Sequence, residues 1–345
     1  MSDPTLERYS RQMRFYGMGE AGQRRLLASR VTLAGCGALG TVLANVLVRA
    51  GVGHVRIIDR DFVETSNLQR QVLFDENDVL ENMPKAEAAA RKLRAINSAV
   101  EVEPVVADID RTNIVEWCQD ADLILDGTDN FEIRYLINDV AVKLNKPWVY
   151  GGCIGSHGQV MVILPGKTPC LRCVFEEAPS AGETGTCETA GVLGPIVNIV
   201  ASLQATEAIK ILIGADDKVL RELLYLDLWE NEQRRIKVAP LLGKVDCLCC
   251  KHKRFEWLDG QHGSQTTSLC GRNAVQVSHR RPGRLNFEEL ARHLEAMGQV
   301  SYNRFLLKFN VEGYEFTVFP DGRAIIKGTN DTERARTLYA RYIGH

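Results

Sequence analysis

The sequence opens with no basic start followed by an apolar run, so a secretory leader is not expected. No stretch reads as the roughly 20 apolar residues that a membrane helix needs, so no membrane partner is expected and a cytoplasmic location is. Net charge is almost absent: 42 Lys+Arg against 44 Asp+Glu give a formal −2. That balance argues against a general nucleic-acid or anionic-surface binder. There is no internal repeat and no low-complexity tract, which excludes solenoids and arrays.

What remains is a globular chain. With 345 residues and 45% hydrophobic content it can build a large core, more than one typical domain needs. Charge is uneven, since residues 251–345 hold 15 Lys+Arg and 10 Asp+Glu, leaving −7 for the rest. The ten cysteines are expected to be reduced, and close pairs among reduced cysteines mean metal or chemistry.

Residues 1–30 read as helix. Val31–Ala34 reads as a buried strand, Gly35–Gly40 as a tight loop, Leu39–Ala50 as a helix and His54–Asp59 as a second strand. Further strands are predicted over 99–110 and 119–127, with helices over Pro84–Ile96 and Asn130–Leu144. This alternation predicts an α/β fold with a doubly wound, Rossmann-like, mostly parallel sheet. After Lys146 come strands Trp148–Cys153 and Gln159–Leu164, a long helix Gly194–Ile213, and a hairpin of Leu223–Trp229 with Arg234–Val238, an antiparallel extension. Residues 1–255 are thus expected to form one domain, 256–267 a polar linker, and 268–345 a small α+β domain. In that last part the prediction is strand Ala274–Ser278, helix Asn286–Met297, strands Tyr302–Phe309, Tyr314–Phe319 and Arg323–Lys327, and helix Asp331–Tyr342.

The glycine loop Gly35-Cys36-Gly37-Ala38-Leu39-Gly40 follows a strand and opens a helix. Glycines at these spacings let backbone approach phosphate, and the helix N-terminus offers unpaired N–H groups. Asp59, at the end of the next strand, suits ribose hydroxyls. Together they indicate an adenine nucleotide; a ligand-free tight turn is the bland alternative. The dense polar run from Asp59 through Asp61 and Asn67 to Arg70 suits a triphosphate better than a dinucleotide, with Asn67 and Arg70 reaching phosphates. Lys85, just after Pro84 at a helix start, is placed to meet phosphate too. Asp126-Gly127-Thr128-Asp129-Asn130 ends an apolar strand at the carboxyl edge of the sheet, where such folds bind ligands. Asp129 there suits Mg²⁺ and Asn130 the nucleotide, although both also suit a helix N-cap.

Two CxxC pairs, Cys170/Cys173 and Cys247/Cys250, read as a closed tetrahedral Zn²⁺ site with a structural role. Two redox pairs are the competing reading, and Cys249 competes with Cys250 as a ligand. Cys187 lies in a Gly/Thr-rich loop ahead of a helix, a setting that favours thiolate and nucleophilic chemistry, although a lone cysteine is more often inert.

These blocks resemble the MoeB/ThiF family, the bacterial relatives of ubiquitin-activating enzymes, over roughly residues 5–253. The carriers of the resemblance are Arg8–Gln12, Gly35–Gly40, Ser66–Gln71, Pro84-Lys85, Asp126–Asn130, both CxxC pairs, and Cys187–Pro195 with the helix bearing Ser202–Ala205. The resemblance implies an adenylyltransferase: ATP-dependent adenylation of the C-terminal glycine carboxylate of a ubiquitin-fold sulfur carrier ending in Gly-Gly, ahead of sulfur transfer. It implies Mg²⁺ on Asp129 and charge neutralisation by Arg70 and Lys85. It also implies a homodimer in which Arg11 reaches the partner's nucleotide, and a persulfide or thioester on Cys187 in sulfur-transferring members. A sulfurtransferase is then a possible partner. The longer relatives end in a rhodanese domain, and residues 268–345 do not read as one. Thr317–Ile343 instead resembles the strand-strand-helix end of a TATA-binding-protein repeat, a fold-level likeness that carries no DNA-binding claim. Cys270 is placed to relay sulfur, against the plainer reading of an incidental cysteine.

Three rivals stand beside this reading. One is the same adenylation on a tRNA-bound or peptide carboxylate, although the adenylation module is acidic, unlike a tRNA binder. The second is a nicotinamide dehydrogenase, which has no use for Arg70, Lys85 and Asp129 together. The third is a non-catalytic carrier-binding scaffold, against which the intact set of Arg11, Arg70, Lys85 and Asp129 counts.

Overall fold

The core of the first half is laid down by apolar strands that feed helices in regular alternation. The computed structural model describes residues 4–129, 131–177, 191–261, 268–269, 273–277 and 285–343. They fall into two units, Met1–His262 and Gly263–His345.

The first unit holds an eight-stranded sheet: β1 (Arg30–Ala34), β2 (His54–Ile58), β3 (Glu101–Val105), β4 (Leu123–Asp126), β5 (Trp148–Ile154), β6 (His157–Ile163), β7 (Leu223–Asp227) and β8 (Glu232–Ile236). Their spatial order is β3-β2-β1-β4-β5-β6-β7-β8. The first five are mutually parallel and β5 to β8 antiparallel. The parallel part is buried along nearly all of β1 and β4, because helices cover both faces. Those helices are α1 (Gly19–Ala28), α2 (Ala38–Ala50), α3 (Lys85–Ile96), α4 (Phe131–Leu144) and α5 (Gly194–Ile213). The order reverses at β1, whose neighbours are β2 and β4. That switch point opens the crevice where a doubly wound sheet takes its ligand.

Four differences from the sequence reading have local causes. The single helix expected over 1–30 is broken: a 3₁₀ turn (Pro4–Tyr9) and a short helix (Ser10–Met13) precede α1, whose first residue, Gly19, sits at φ +61°. Left-handed backbone cannot continue a helix. A helix at Ile114–Gln119 occupies the start of the strand expected from 119. Residues 256–261 are not linker. Glu256 pairs with Arg172 at 3.1 Å, Trp257 packs at a tilt against Tyr135 with ring centroids 5.2 Å apart, and Leu258 is buried in the same core as Trp148. Finally, α5 is 20 residues long with mean hydropathy 1.6, so an apolar run of membrane-spanning length does exist. It is a core helix here: Ile196, Val197, Val200 and Ala201 are buried, Gln204 Nε2 donates to Asp126 O, and Glu207 accepts from Leu220 N–H.

The second unit is a six-stranded antiparallel sheet of β9 (Ser268–Leu269), β10 (Ala274–Val277), β11 (Gln299–Tyr302), β12 (Leu307–Val311), β13 (Tyr314–Val318) and β14 (Ala324–Lys327), ordered β11-β12-β13-β14-β10-β9. Helices α6 (Phe287–Leu294) and α7 (Thr332–Tyr342) share its core with Phe309, Phe316 and Ile326. The strand expected over Tyr302–Phe309 is two strands. Asn303 Oδ1 accepts from the N–H groups of Phe305 and Leu306, an Asx turn that folds the chain back.

Candidate active site and metal centre

The glycine turn between β1 and α2 is built by contacts that tolerate no side chain. Gly35 sits at φ +88°, and a Cβ there would lie 2.8 Å from the Gly127 carbonyl oxygen. A Cβ on Gly40 would lie 2.2 Å from the Gly35 oxygen. Gly37 differs: its Cβ would meet nothing nearer than 4.0 Å, so its bareness serves no packing need and leaves the turn open to a ligand. Thr41 N–H is the first to bond within α2, to the Gly37 oxygen at 3.0 Å. The N–H groups of Ala38, Leu39 and Gly40 therefore lack in-helix acceptors, as the first residues of any helix do. This is a cradle that fits a phosphate.

Carboxylates and cations from four loops gather at this edge of the sheet. Asp59, just past β2, accepts from Cys36 N–H at 2.6 Å and Asp61 N–H at 2.7 Å, one on each oxygen. Each oxygen keeps a lone pair for a further donor. Burial pushes the Asp59 carboxyl above its usual range, and Asp61 adds to this while Lys85 and the two N–H donors oppose it. Lys85 opens α3 with its ammonium 3.1 Å from Asp61 and only 4% exposed. Arg60 bonds Asp108 at 2.8 Å. Burial alone would lower the Arg60 pKa, but Asp108, Asp61, Asp59 and Asp129 together raise it. The Cys36 thiol is buried and pushed well up, first by burial and then by Asp59, so it is no nucleophile.

The loop after β4 is fixed from beneath. Arg134 on α4 reaches Asp126 Oδ2 at 3.0 Å, Thr128 O at 2.7 Å and Gly151 O at 3.1 Å. Gln204 on α5 donates to Asp126 O at 2.9 Å. Asp126 also accepts from the Thr128 N–H and hydroxyl. Asp129, next in the chain, is exposed at the crevice. Arg70 is half-buried and donates to Ser66 O at 2.9 Å. Asn67, expected to reach phosphate, is 3% exposed; its Oδ1 accepts from Glu64 N–H at 3.1 Å, so that oxygen holds the turn. Arg11 is exposed and has no hydrogen-bond or ion-pair partner among the described residues. Asn130, Cys187 and Cys270 lie outside the described residues.

The structure thus brings Gly35–Gly40, Asp59, Asp61, Lys85 and the Asp129 loop to one edge. Sequence reasoning missed Arg60–Asp108, Arg134 and the role of Gln204. Gln204 sits among apolar neighbours in α5, which was the available signal, whereas Arg134 shares α4 with Glu132, Asn138 and Asp139 and stands out by nothing local.

The metal centre lies where the two CxxC pairs meet. The sulfurs of Cys170, Cys173, Cys247 and Cys250 all lie within 4.8 Å of one another. Adjacent pairs are 3.9, 3.6 and 3.3 Å apart. A tetrahedral Zn²⁺ with 2.3 Å bonds places sulfurs about 3.8 Å apart, so the cluster fits zinc. Asn138 ties both arms to α4: its Oδ1 accepts from Leu171 N–H at 2.8 Å and its Nδ2 lies 3.3 Å from Cys249 Sγ. Cys249 lies beside the cluster, in contact with Asn138, Asp139 and Cys170, and it is Cys250 whose sulfur converges with the other three.

A match to the ThiF family spans residues 9–249. A protein of Bacillus subtilis, the sulfur carrier protein ThiS adenylyltransferase, is 44% identical over 98% of this chain and 99% of its own. The SAMP-activating enzyme E1 of Haloferax volcanii is 40% identical over 71% of this chain and 88% of its own. Among solved structures, Escherichia coli MccB with ATP superposes with TM-score 0.61 at 26% identity, covering 70% of this chain and 74% of that one.

Proposed function

The chain belongs to the ThiF family, and from that premise we propose that it adenylates the C-terminal glycine carboxylate of a ubiquitin-fold sulfur carrier of the ThiS class, with ATP as donor. The carrier's Gly-Gly tail lies along the crevice with its carboxylate at the α-phosphate. A carboxylate oxygen attacks the α-phosphorus, the bond to the bridging oxygen of the β-phosphate breaks, and pyrophosphate leaves with that electron pair. No proton moves and no protein atom is bonded, so rate comes from positioning and charge. The N–H groups opening α2 hold phosphate, Asp59 the ribose, and Lys85 and Arg70 the charge that builds on pyrophosphate. Asp129 would hold Mg²⁺, which when bound would offset phosphate charge. Cys170, Cys173, Cys247 and Cys250 would hold a structural Zn²⁺.

The observation that carries this reading is the Lys85 ammonium, 4% exposed, on the same edge as the glycine turn and Asp59. A triphosphate needs that cation and a nicotinamide dinucleotide does not. The exposed Arg11 supports a homodimer in which it reaches the partner's nucleotide. Cys187 serves as the sulfur-bearing or thioester-forming residue, with a sulfurtransferase as its supplier, and the enzyme works in the cytoplasm. The Bacillus relative aligns through the second unit, whose role we assign as docking of the carrier or of the next enzyme.

ATP–pyrophosphate exchange tests the proposal. It should require a ubiquitin-fold protein ending in Gly-Gly and fall about a hundredfold or more in Asp129→Ala. Exchange with no such carrier, or with a peptide carboxylate instead, would sink it.

A further inference from the structure

One polar side chain at the glycine turn has no part in that account. Gln71 follows the 3₁₀ turn Thr65–Asn67 and is only 3% exposed. Its backbone is satisfied: N–H donates to Asn67 O at 3.0 Å and its carbonyl accepts from Phe74 N–H at 3.1 Å. Its carboxamide is not. Oε1 is buried with no hydrogen-bond partner among the described residues. Nε2 lies 4.0 Å from where a Cβ on Gly37 would stand, level with the Gly127 oxygen at the same distance. The carboxamide therefore borders the open space above Gly37. A buried amide oxygen without a donor is destabilising, and such a cost persists where a ligand later supplies the partner.

We propose that Gln71 is a further residue of the adenylation centre, with its Nε2–H on a non-bridging oxygen of the α-phosphate and its Oε1 accepting an N–H of the carrier's terminal glycines. The division follows from chemistry. Phosphate oxygens only accept, so they can satisfy Nε2 and cannot satisfy Oε1. A peptide N–H is the donor that the Gly-Gly tail brings to the same point. The contact to phosphate strengthens as the α-phosphorus becomes five-coordinate, so it lowers the barrier more than it tightens ATP. This assignment rests on the adenylation reading above.

The test is pyrophosphate exchange by the full chain with carrier, using ATP and the two α-thio diastereomers, Rp and Sp. In Gln71→Ala, kcat should fall about 10- to 100-fold, the carrier KM should rise, and the Rp/Sp rate ratio should move toward unity. Gln71→Glu keeps the shape and sets a carboxylate against phosphate, so it should be slower still while melting like wild type. A residue that only packs the loop would change melting and leave the diastereomer ratio alone. An unchanged ratio and carrier KM in both variants would overturn the assignment while wild-type exchange persists. A wild type that exchanges with no carrier would instead overturn the adenylation reading beneath it.

Discussion

Arg134 and Asp126 form an ion pair inside the protein, Nε to Oδ2 at 3.0 Å, with side chains 7% and 0% exposed. The same guanidinium bonds carbonyls from the loop after β4 and from β5, so one side chain sets the path of the chain that ends in Asp129. Burial pushes the Asp126 carboxyl up, against the opposing pull of Arg134 and the Thr128 donors. Removing the cation leaves that carboxylate buried without its partner. Arg134→Met should therefore cost about 3–5 kcal/mol of stability and abolish exchange. Urea unfolding followed by tryptophan fluorescence measures this in the first unit alone, because Trp117, Trp148, Trp229 and Trp257 all lie there. Equal midpoints for wild type and variant would refute it.

Asp59 predicts how nucleotide binding responds to acid. Its pKa is raised in the folded state, chiefly by burial, above the ordinary 3.8. The folded protein thus takes up this proton before the unfolded chain does as pH falls. Between the raised pKa and 3.8, acidification through this group favours the folded state, so Asp59 is not a cause of acid unfolding. ATP binding should nevertheless weaken in that window, because a protonated carboxyl loses acceptor capacity for ribose. The expected outcome is an ATP KM that rises on the acid side while melting holds. Asp59→Asn should bind ATP weakly at neutral pH and lose that pH dependence. An acid limb that survives in the variant would assign it to another group.

How much of this was legible in the sequence depends on how far apart the interacting residues lie. The glycine turn and Asp59 are local signals, and spacing alone locates them. The pairs Arg60–Asp108 and Arg134–Gly151 join segments whose proximity exists only after the sheet forms. Helix α5 is apolar enough to obscure its place in the core, and the buried Gln204 and Glu207 betray it. The break between β11 and β12 hangs on one side chain, Asn303, and an Asx turn inside an otherwise strand-like run leaves no periodic signature. Both CxxC pairs were legible, whereas the choice between Cys249 and Cys250 needed Asn138, more than 100 residues away.

That choice gives a metal prediction. Purified protein should hold about one Zn²⁺ per chain. Cys250→Ser should lose it and lower the melting temperature by about 10 °C or more, since the clip joins the segment after β6 to the one after β8. Cys249→Ser should keep the metal, because its sulfur is not one of the four that converge. Metal analysis with melting curves decides between them; zinc retained in Cys250→Ser and lost in Cys249→Ser would reverse the assignment.

Truncation separates chemistry from docking. The buried core of the second unit is drawn from Val275 to Tyr342, and the core that joins the zinc cluster to β5 is drawn from Ala34 to Leu258. Each therefore has its own means of folding. The Haloferax relative matches over 88% of its length using 71% of this chain, a stretch no longer than the first unit. A chain ending at His262 should accordingly fold, bind zinc and catalyse exchange with kcat near wild type at saturating carrier. If the second unit docks the carrier, the carrier KM should rise about tenfold, equivalent to about 1.4 kcal/mol of lost binding. If it docks the next enzyme instead, KM should hold while sulfur delivery to the carrier in a reconstituted mixture falls. Unchanged KM together with unchanged delivery would remove both roles from residues 263–345.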